Sequence, residues 1–149
     1  MNTTRTGAAA VVLLGTTALA MGTSGPATAG PSVHRITMNV VARQLASKQL
    51  GTRHEAETDT ILRSGQVIGF SANACTFDFT NNTASCAVAV ALRGGQLRAD
   101  VTVDAADGTS KGTVVGGTGA FAGARGTVHG APGRRKGDTR ITVHAIVKS

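Results

Sequence analysis

The sequence has no tryptophan and no tyrosine, and only four phenylalanines and two cysteines in 149 residues. Phe70, Phe77, Phe79 and Phe121 do not interleave with any basic run. The aromatic platforms on which single-stranded nucleic acid stacks are therefore missing, and no nucleic-acid partner is expected. Beyond the N-terminal region no apolar run is long enough to span a bilayer. The histidines at 34, 54, 129 and 144 lack metal-ligand spacing, so no metal is expected. No Ser-His-Asp order is readable, because such triads are recognised by geometry. Acids are few, 8 against 15 Lys and Arg, giving a net charge of +7. The only basic cluster, Arg134-Arg135-Lys136, lies between Pro-Gly and Gly-Asp, where a solvated turn is the plainer reading.

What is present begins with an export signature. Arg5 is followed by a mostly apolar stretch, Ala8 to Met21, and then by Ala27-Thr28-Ala29 before Gly30. A positive start, an apolar run too short to be a membrane anchor and an A-x-A site describe a secretory signal peptide over residues 1–29. Residues 30–149 are then one domain with a modest core, and the expected location is extracellular. Losing Arg5 lowers the basic count by one against the same 8 acids, so this domain carries +6. Such a domain tends to approach anionic surfaces such as cell-wall polymers. Two cysteines in an exported chain favour a Cys75–Cys86 disulfide over a reduced pair or a nucleophilic thiol, neither of which has a histidine close by in sequence.

Residues 30–149 read as strands with turn punctuation. Ile36, Met38, Val40 and Ala42 share a face of a first strand, and Gln44 to Leu50 reads equally as a short helix stopped at Gly51 or as a loop. Further strands are expected over 54–63, 67–79, 83–92, 96–103, 111–115, 127–131 and 140–147. Placing Cys75 opposite Cys86 centres a hairpin between Thr80 and Asn81, where turn-forming residues stand. Eight short strands with no convincing long helix point to an all-β barrel, with a filled sandwich as the alternative. A barrel of that size can hold one small ligand. Ala87, Ala89 and Ala91 share one face of the fourth strand and, if inward, would leave room for it.

Gly116 to Gly126 reads Gly-Gly-Thr-Gly-Ala-Phe-Ala-Gly-Ala-Arg-Gly. Part of it fits the dinucleotide pattern G-x-G-x-x-[GA], which has meaning only between a strand and a helix. Gly123 and Gly126 would fall inside that helix at a cost of about 1 kcal/mol each, and the next residues look like a strand. An ordered inter-strand device is the better reading, with Gly116, Gly117, Gly119, Gly123 and Gly126 where the backbone is crowded or turns, and Phe121 as a plug. Arg125 reads as structural, pairing a carboxylate near a barrel end.

This segment resembles the glycine-rich signature of the allene oxide cyclase barrel, shared more loosely by plant dirigent proteins. Thr58 to Leu62, Gly65 to Gly69, Ala74-Cys75-Thr76, Cys86, Gly94 to Leu97 and Thr139 to Val147 are similar in order and spacing, so the resemblance covers most of residues 33–147. It implies an eight-stranded antiparallel barrel of calycin type with an apolar cavity and no cofactor. The activity it implies is cyclisation or isomerisation of a small apolar molecule, or steering of phenoxy-radical coupling. Relatives are often trimers, and exposed Val/Ala strand faces could pack against copies. The family's second-strand cavity positions correspond to Glu55, Glu57 and Asp59, where the plant cyclases carry apolar residues and an amide. Their first-strand glutamate has no counterpart between Val33 and Arg43.

Glu55, Glu57 and Asp59 have strand spacing and share one face. Turned inward, they would raise at least one carboxyl pKa and create an acid/base pair, with Asp59 and Glu57 the catalytic candidates. Glu55, Asn73 and Phe77 would then be ligand contacts. Turned outward, they are a solvated face, with Ala56, Thr58, Thr60 and Leu62 inside. Two functions stay open: a barrel that steers the chemistry of a small apolar or aromatic molecule, and a non-catalytic carrier or cell-surface module on the same scaffold.

Overall fold

The computed structural model describes residue 30 and residues 32–148, so the expected signal peptide lies outside the described residues. Eight strands follow one another: β1 (Val33–Gln49), β2 (His54–Arg63), β3 (Gln66–Asp78), β4 (Thr83–Leu92), β5 (Gly95–Asp104), β6 (Ser110–Gly117), β7 (Arg125–Pro132) and β8 (Asp138–Lys148). A 3-10 turn at Gly119–Phe121 joins β6 to β7. Each strand pairs antiparallel with the next, and β8 returns to β1 over Val33↔Lys148 to Arg43↔Asp138, closing the barrel. The expected all-β, eight-stranded antiparallel barrel is the fold, and closure leaves no sheet edge open to another chain.

Period-two patterning decides which side chains enter the barrel. Met38, Val40 and Ala42 on β1, Leu97, Ala99, Val101 and Val103 on β5, and Ile141 and Val143 on β8 all line its interior. The turn chemistry agrees with the strands. At the β3–β4 hairpin Asp78 Oδ1 accepts from the backbone N–H of Thr80 at 3.0 Å, and Asn82 takes φ 52°. Cys75 pairs with Cys86 and the two are joined by a disulfide across a sequence separation of 11.

The two ends of the barrel differ. At one end, the β4–β5 hairpin meets the glycine-rich β6–β7 connection. There Met38, Leu97, Val114, Ala124 and Val147 form a buried core against which Phe121 packs. The connection is tied down by Ala120 N–H to Gly94 O at 2.8 Å and Thr118 N–H to Gln96 O at 2.9 Å. Gly119 has φ +58°, and a Cβ there would also run into the Gly94 carbonyl oxygen. Gly126 sits so close to β8 that a Cβ would strike the His144 carbonyl oxygen. The dinucleotide reading fails here structurally, since no α-helix follows the glycines.

Three expectations are corrected. Gln44 to Leu50 is neither helix nor free loop: β1 runs on to Gln49, pairing Ala46↔Thr58 to Gln49↔Glu55 beyond a register shift at Gln44/Ala46. Leu45 falls at the shift and is exposed. Ala87, Ala89 and Ala91 point outward, because the Cys86 side of β4, with Ala84, Val88, Val90 and Leu92, lines the interior. Among the described residues Arg125 pairs no carboxylate; its Nη1 donates to the Ala124 carbonyl at 2.7 Å.

Candidate functional site

Glu55, Glu57 and Asp59 face inward, and with Ile61 they form the β2 wall of the barrel interior. The register with β3 sets their neighbours: Glu55↔Cys75, Glu57↔Asn73 and Asp59↔Ser71. Paired residues of adjacent strands share a face, so the acids meet Asn73 and Ser71 directly. Ser71 Oγ donates to Asp59 Oδ2 at 2.6 Å, and Asn73 Nδ2 donates to the same oxygen at 2.8 Å. Asp59 is only 5% exposed. Ser47 on β1 donates to Glu55 Oε1 at 2.6 Å.

These groups line a cavity of about 340 Å³. It runs from Glu55, Phe77, Val103, Ser110 and Gly137, at the end away from the glycine-rich connection, down to Met38, Leu92 and Leu97. Room comes from small inward residues, Ala42, Ser71, Ala84 and Ala99, and not from Ala87, Ala89 and Ala91. The rest of the wall is mostly aliphatic, with the Cys75–Cys86 bridge, Phe77, Arg98, Ser110 and Thr139 among it. At the open rim Phe77 stacks with Phe79, ring centroids 6.1 Å apart and planes 6° apart.

The electrostatics of the row follow from crowding. Burial pushes the Glu57 carboxyl up from 4.5 to about 7, and the nearby charges of Asp59 and Glu55 push in the same direction. Hydrogen bonding to Asp59 holds the proton on Glu57, while Asn73 works the other way. Near neutral pH Glu57 therefore exchanges a proton with ease beside a buried Asp59, the condition under which a side chain serves as either acid or base. The Asn73 Oδ1 atom is buried without a hydrogen-bond partner.

The structure thus brings together Glu55, Glu57, Asp59, Asn73 and Phe77. The glycine segment stands apart at the closed end: Gly116, Gly117, Gly119, Phe121, Gly123, Arg125 and Gly126 contribute nothing to the cavity lining. Ser71 and Phe79 were missed in the sequence. Ser71 could have been found by extending the strand-pairing register to β2 and β3, which puts it opposite Asp59. No group of His, Cys, Asp and Glu suited to holding a metal occurs among the described residues.

No protein-family model matches the chain, and no curated protein matches its sequence. Solved structures do resemble it. A pyocyanin demethylase shares 16% identity over 73% of this chain and 99% of its own, with a TM-score of 0.61. A pterocarpan synthase dirigent protein shares 15% identity over 78% of this chain and 85% of its own, with a TM-score of 0.58. A Diels–Alderase from Streptomyces koyangensis shares 9% identity over 83% of this chain and 71% of its own, with a TM-score of 0.54. The resemblance carried by Gly116 to Gly126 holds at the level of fold, and the chain shares its closed barrel with dirigent proteins and with cyclases of barrel type.

Proposed function

We propose that the protein is a secreted barrel that encloses a small apolar or aromatic molecule and steers its cyclisation, isomerisation or coupling. The observation that carries this reading is the acidic row on an aliphatic cavity wall, with the Glu57 carboxyl at about 7. Wall shape fixes the ligand's conformation, which is where much of the barrier to a cyclisation lies. Glu57 then gives or takes a proton at the reacting atom while Asp59, oriented by Ser71 and Asn73, balances the charge. The rim pair Phe77 and Phe79 suits a flat ligand face. Support by analogy comes from the names of the neighbours, which describe pyocyanin demethylation, pterocarpan synthesis and Diels–Alder chemistry.

Secretion rests on the leader-like residues 1–29 and on the disulfide, which suits an oxidising compartment. The excess of positive charge favours association with anionic cell-wall polymers. The exposed Val/Ala strand faces, Ala87, Ala89 and Ala91 among them, favour self-association.

A carrier without catalysis is the second reading, favoured by the absence of any acid among the β1 cavity residues Met38, Val40 and Ala42. One experiment separates the two. A library of polyenes, epoxides and phenols is screened for binding by native mass spectrometry, and bound compounds are then followed by chiral chromatography. Catalysis gives one product enantiomer, with turnover falling at least about 100-fold in Glu57→Gln and Asp59→Asn. Ligands that bind and emerge unchanged leave the carrier reading standing, and a library without binders defeats both.

A further inference from the structure

The polar side of the cavity is short of hydrogen-bond donors. Three carboxyl groups and the Asn73 amide oxygen converge there, and the side-chain donors that reach them are the Ser47 and Ser71 hydroxyls, the Asn73 amide N–H and, while it keeps its proton, Glu57 toward Asp59. Ionised carboxylates accept only. Asp59 Oδ2 takes two of these donors, and Asn73 Oδ1, buried beside it, has none. A buried acceptor left unpaired costs about 1–3 kcal/mol, so a ligand that brings donors gains what the free protein forgoes.

Charge points the same way. Among the described residues the salt bridge is Arg43–Asp138, and no cation pairs with Glu55, Glu57 or Asp59. Arg98 contributes to the cavity lining, but its guanidinium lies over Gly116 beside that of Arg125, toward the closed end. The groups facing Glu57 are Asp59 and Glu55 on its own strand and Asn73 on β3. The site is therefore a net negative, donor-poor pole set against an aliphatic wall.

We propose that the ligand is a compact apolar or aromatic body bearing a protonated nitrogen, whose N–H groups meet the Glu57 and Asp59 carboxylates and the Asn73 amide oxygen. This rests on reading the cavity as a ligand site and adds the chemical class of the ligand. Charge-assisted hydrogen bonds are about twice as strong as neutral ones, and an anion of the same shape is repelled. Glu57 gives up its proton as the cation arrives, so binding strengthens as pH rises through neutrality.

The test compares three probes of one shape, naphthylmethylamine, naphthylmethanol and naphthoate, by isothermal titration on the disulfide-bonded protein. At pH about 8 the amine binds about tenfold tighter than the alcohol, and the acid does not bind. In the untouched protein the preference shrinks at pH about 5.5, as Glu57 takes up its proton and Asp59 and the Asn73 amide oxygen remain to meet the ammonium. In the Glu57→Gln/Asp59→Asn variant the ratio of amine to alcohol affinity falls to near one. An alcohol that binds as well as the amine at pH about 8, or a preference unmoved by pH, overturns the assignment while leaving the cavity a ligand site. If none of the three binds at either pH, the ligand-site reading itself falls, and this inference with it.

Discussion

Glu57→Gln should make the protein more stable, and only above acidic pH. Glu57 is half-buried on β2 with Asp59 and Glu55 on either side, which raises its carboxyl from 4.5 to about 7. A folded-state value above the unfolded one means that the native protein holds the proton more tightly. Stability is undiminished below about 4.5, declines as pH rises from 4.5 to about 7, and stays reduced above that. The full displacement corresponds to about 3 kcal/mol at about 1.4 kcal/mol per pH unit. Solvent reaching a half-buried side chain cuts the effect to about 1–2 kcal/mol. Glutamine keeps the shape, carries no charge, and can donate to Asp59 as the protonated acid does. The variant should therefore melt roughly 4–8 °C higher than the parent at pH about 8 and at nearly the same temperature at pH about 4. With neither Trp nor Tyr to report unfolding, far-UV circular dichroism is the assay. A variant that gains nothing at pH 8, or gains equally at both pH values, would refute the crowding of negative charge at Glu57.

Three other outcomes follow from the scaffold. Replacing Cys75 and Cys86 together by Ala should cost about 2.8 kcal/mol, the loop-closure value for a separation of 11. The urea midpoint reads this loss, and reducing the parent protein should reproduce it. Gly126→Ala drives a methyl group into the His144 carbonyl and Ala145 Cα of β8; a loss of about 1–3 kcal/mol is expected, and an unchanged melting temperature would show that β7 and β8 can part without strain. Asp138→Asn removes the pair in which Arg43 Nε donates to Asp138 Oδ1 at 2.8 Å and Nη2 to Oδ2 at 3.0 Å. The Arg43 hydrogen bonds hold the Asp138 carboxyl below its ordinary range, so the stabilisation is present above that range and disappears as pH falls through it. Parent and variant melting curves should converge in acid.

Much of the barrel was legible because its local signals agree. Alternation in Leu97 to Val103 and in Ile141 to Val147, the Thr80–Asn82 turn and the Cys75/Cys86 register each name the same antiparallel order. What failed was local pattern overruled by pairing. Residues 46–49 remain strand because β2 supplies partners for them, a long-range fact that their helix-compatible composition does not contain. Small size does not say which way the β4 alanines face; the disulfide decides it, with Cys86 inside and Ser85 and Ala87 outside. The direction of Glu55, Glu57 and Asp59 could not be read from β2 alone. Ala56, Thr58, Thr60 and Leu62 make an equally plausible inner face, and it is the β3 partners Ser71 and Asn73, polar and able to donate, that make the acids tolerable inside.

That tolerance gives the unequal ends of the barrel a physical reason. Carboxyl groups on an inner wall cost stability, and a small domain has little in reserve. The cost has to be offset elsewhere in the barrel. Here the glycines let the β6–β7 connection approach Gly94 and Gln96 closely enough for Phe121 and Ala124 to join the core. The disulfide ties β3 to β4 on the same wall as Asn73. If so, losses at the closed end and gains at the acidic row should add, because the sites share no partner. Gly126→Ala combined with Glu57→Gln at pH about 8 should sit within about 0.5 kcal/mol of the summed single effects. A larger departure would mean that the filled end and the acidic row are mechanically coupled, and that the acidic cavity cannot be altered without repacking the end the glycines close.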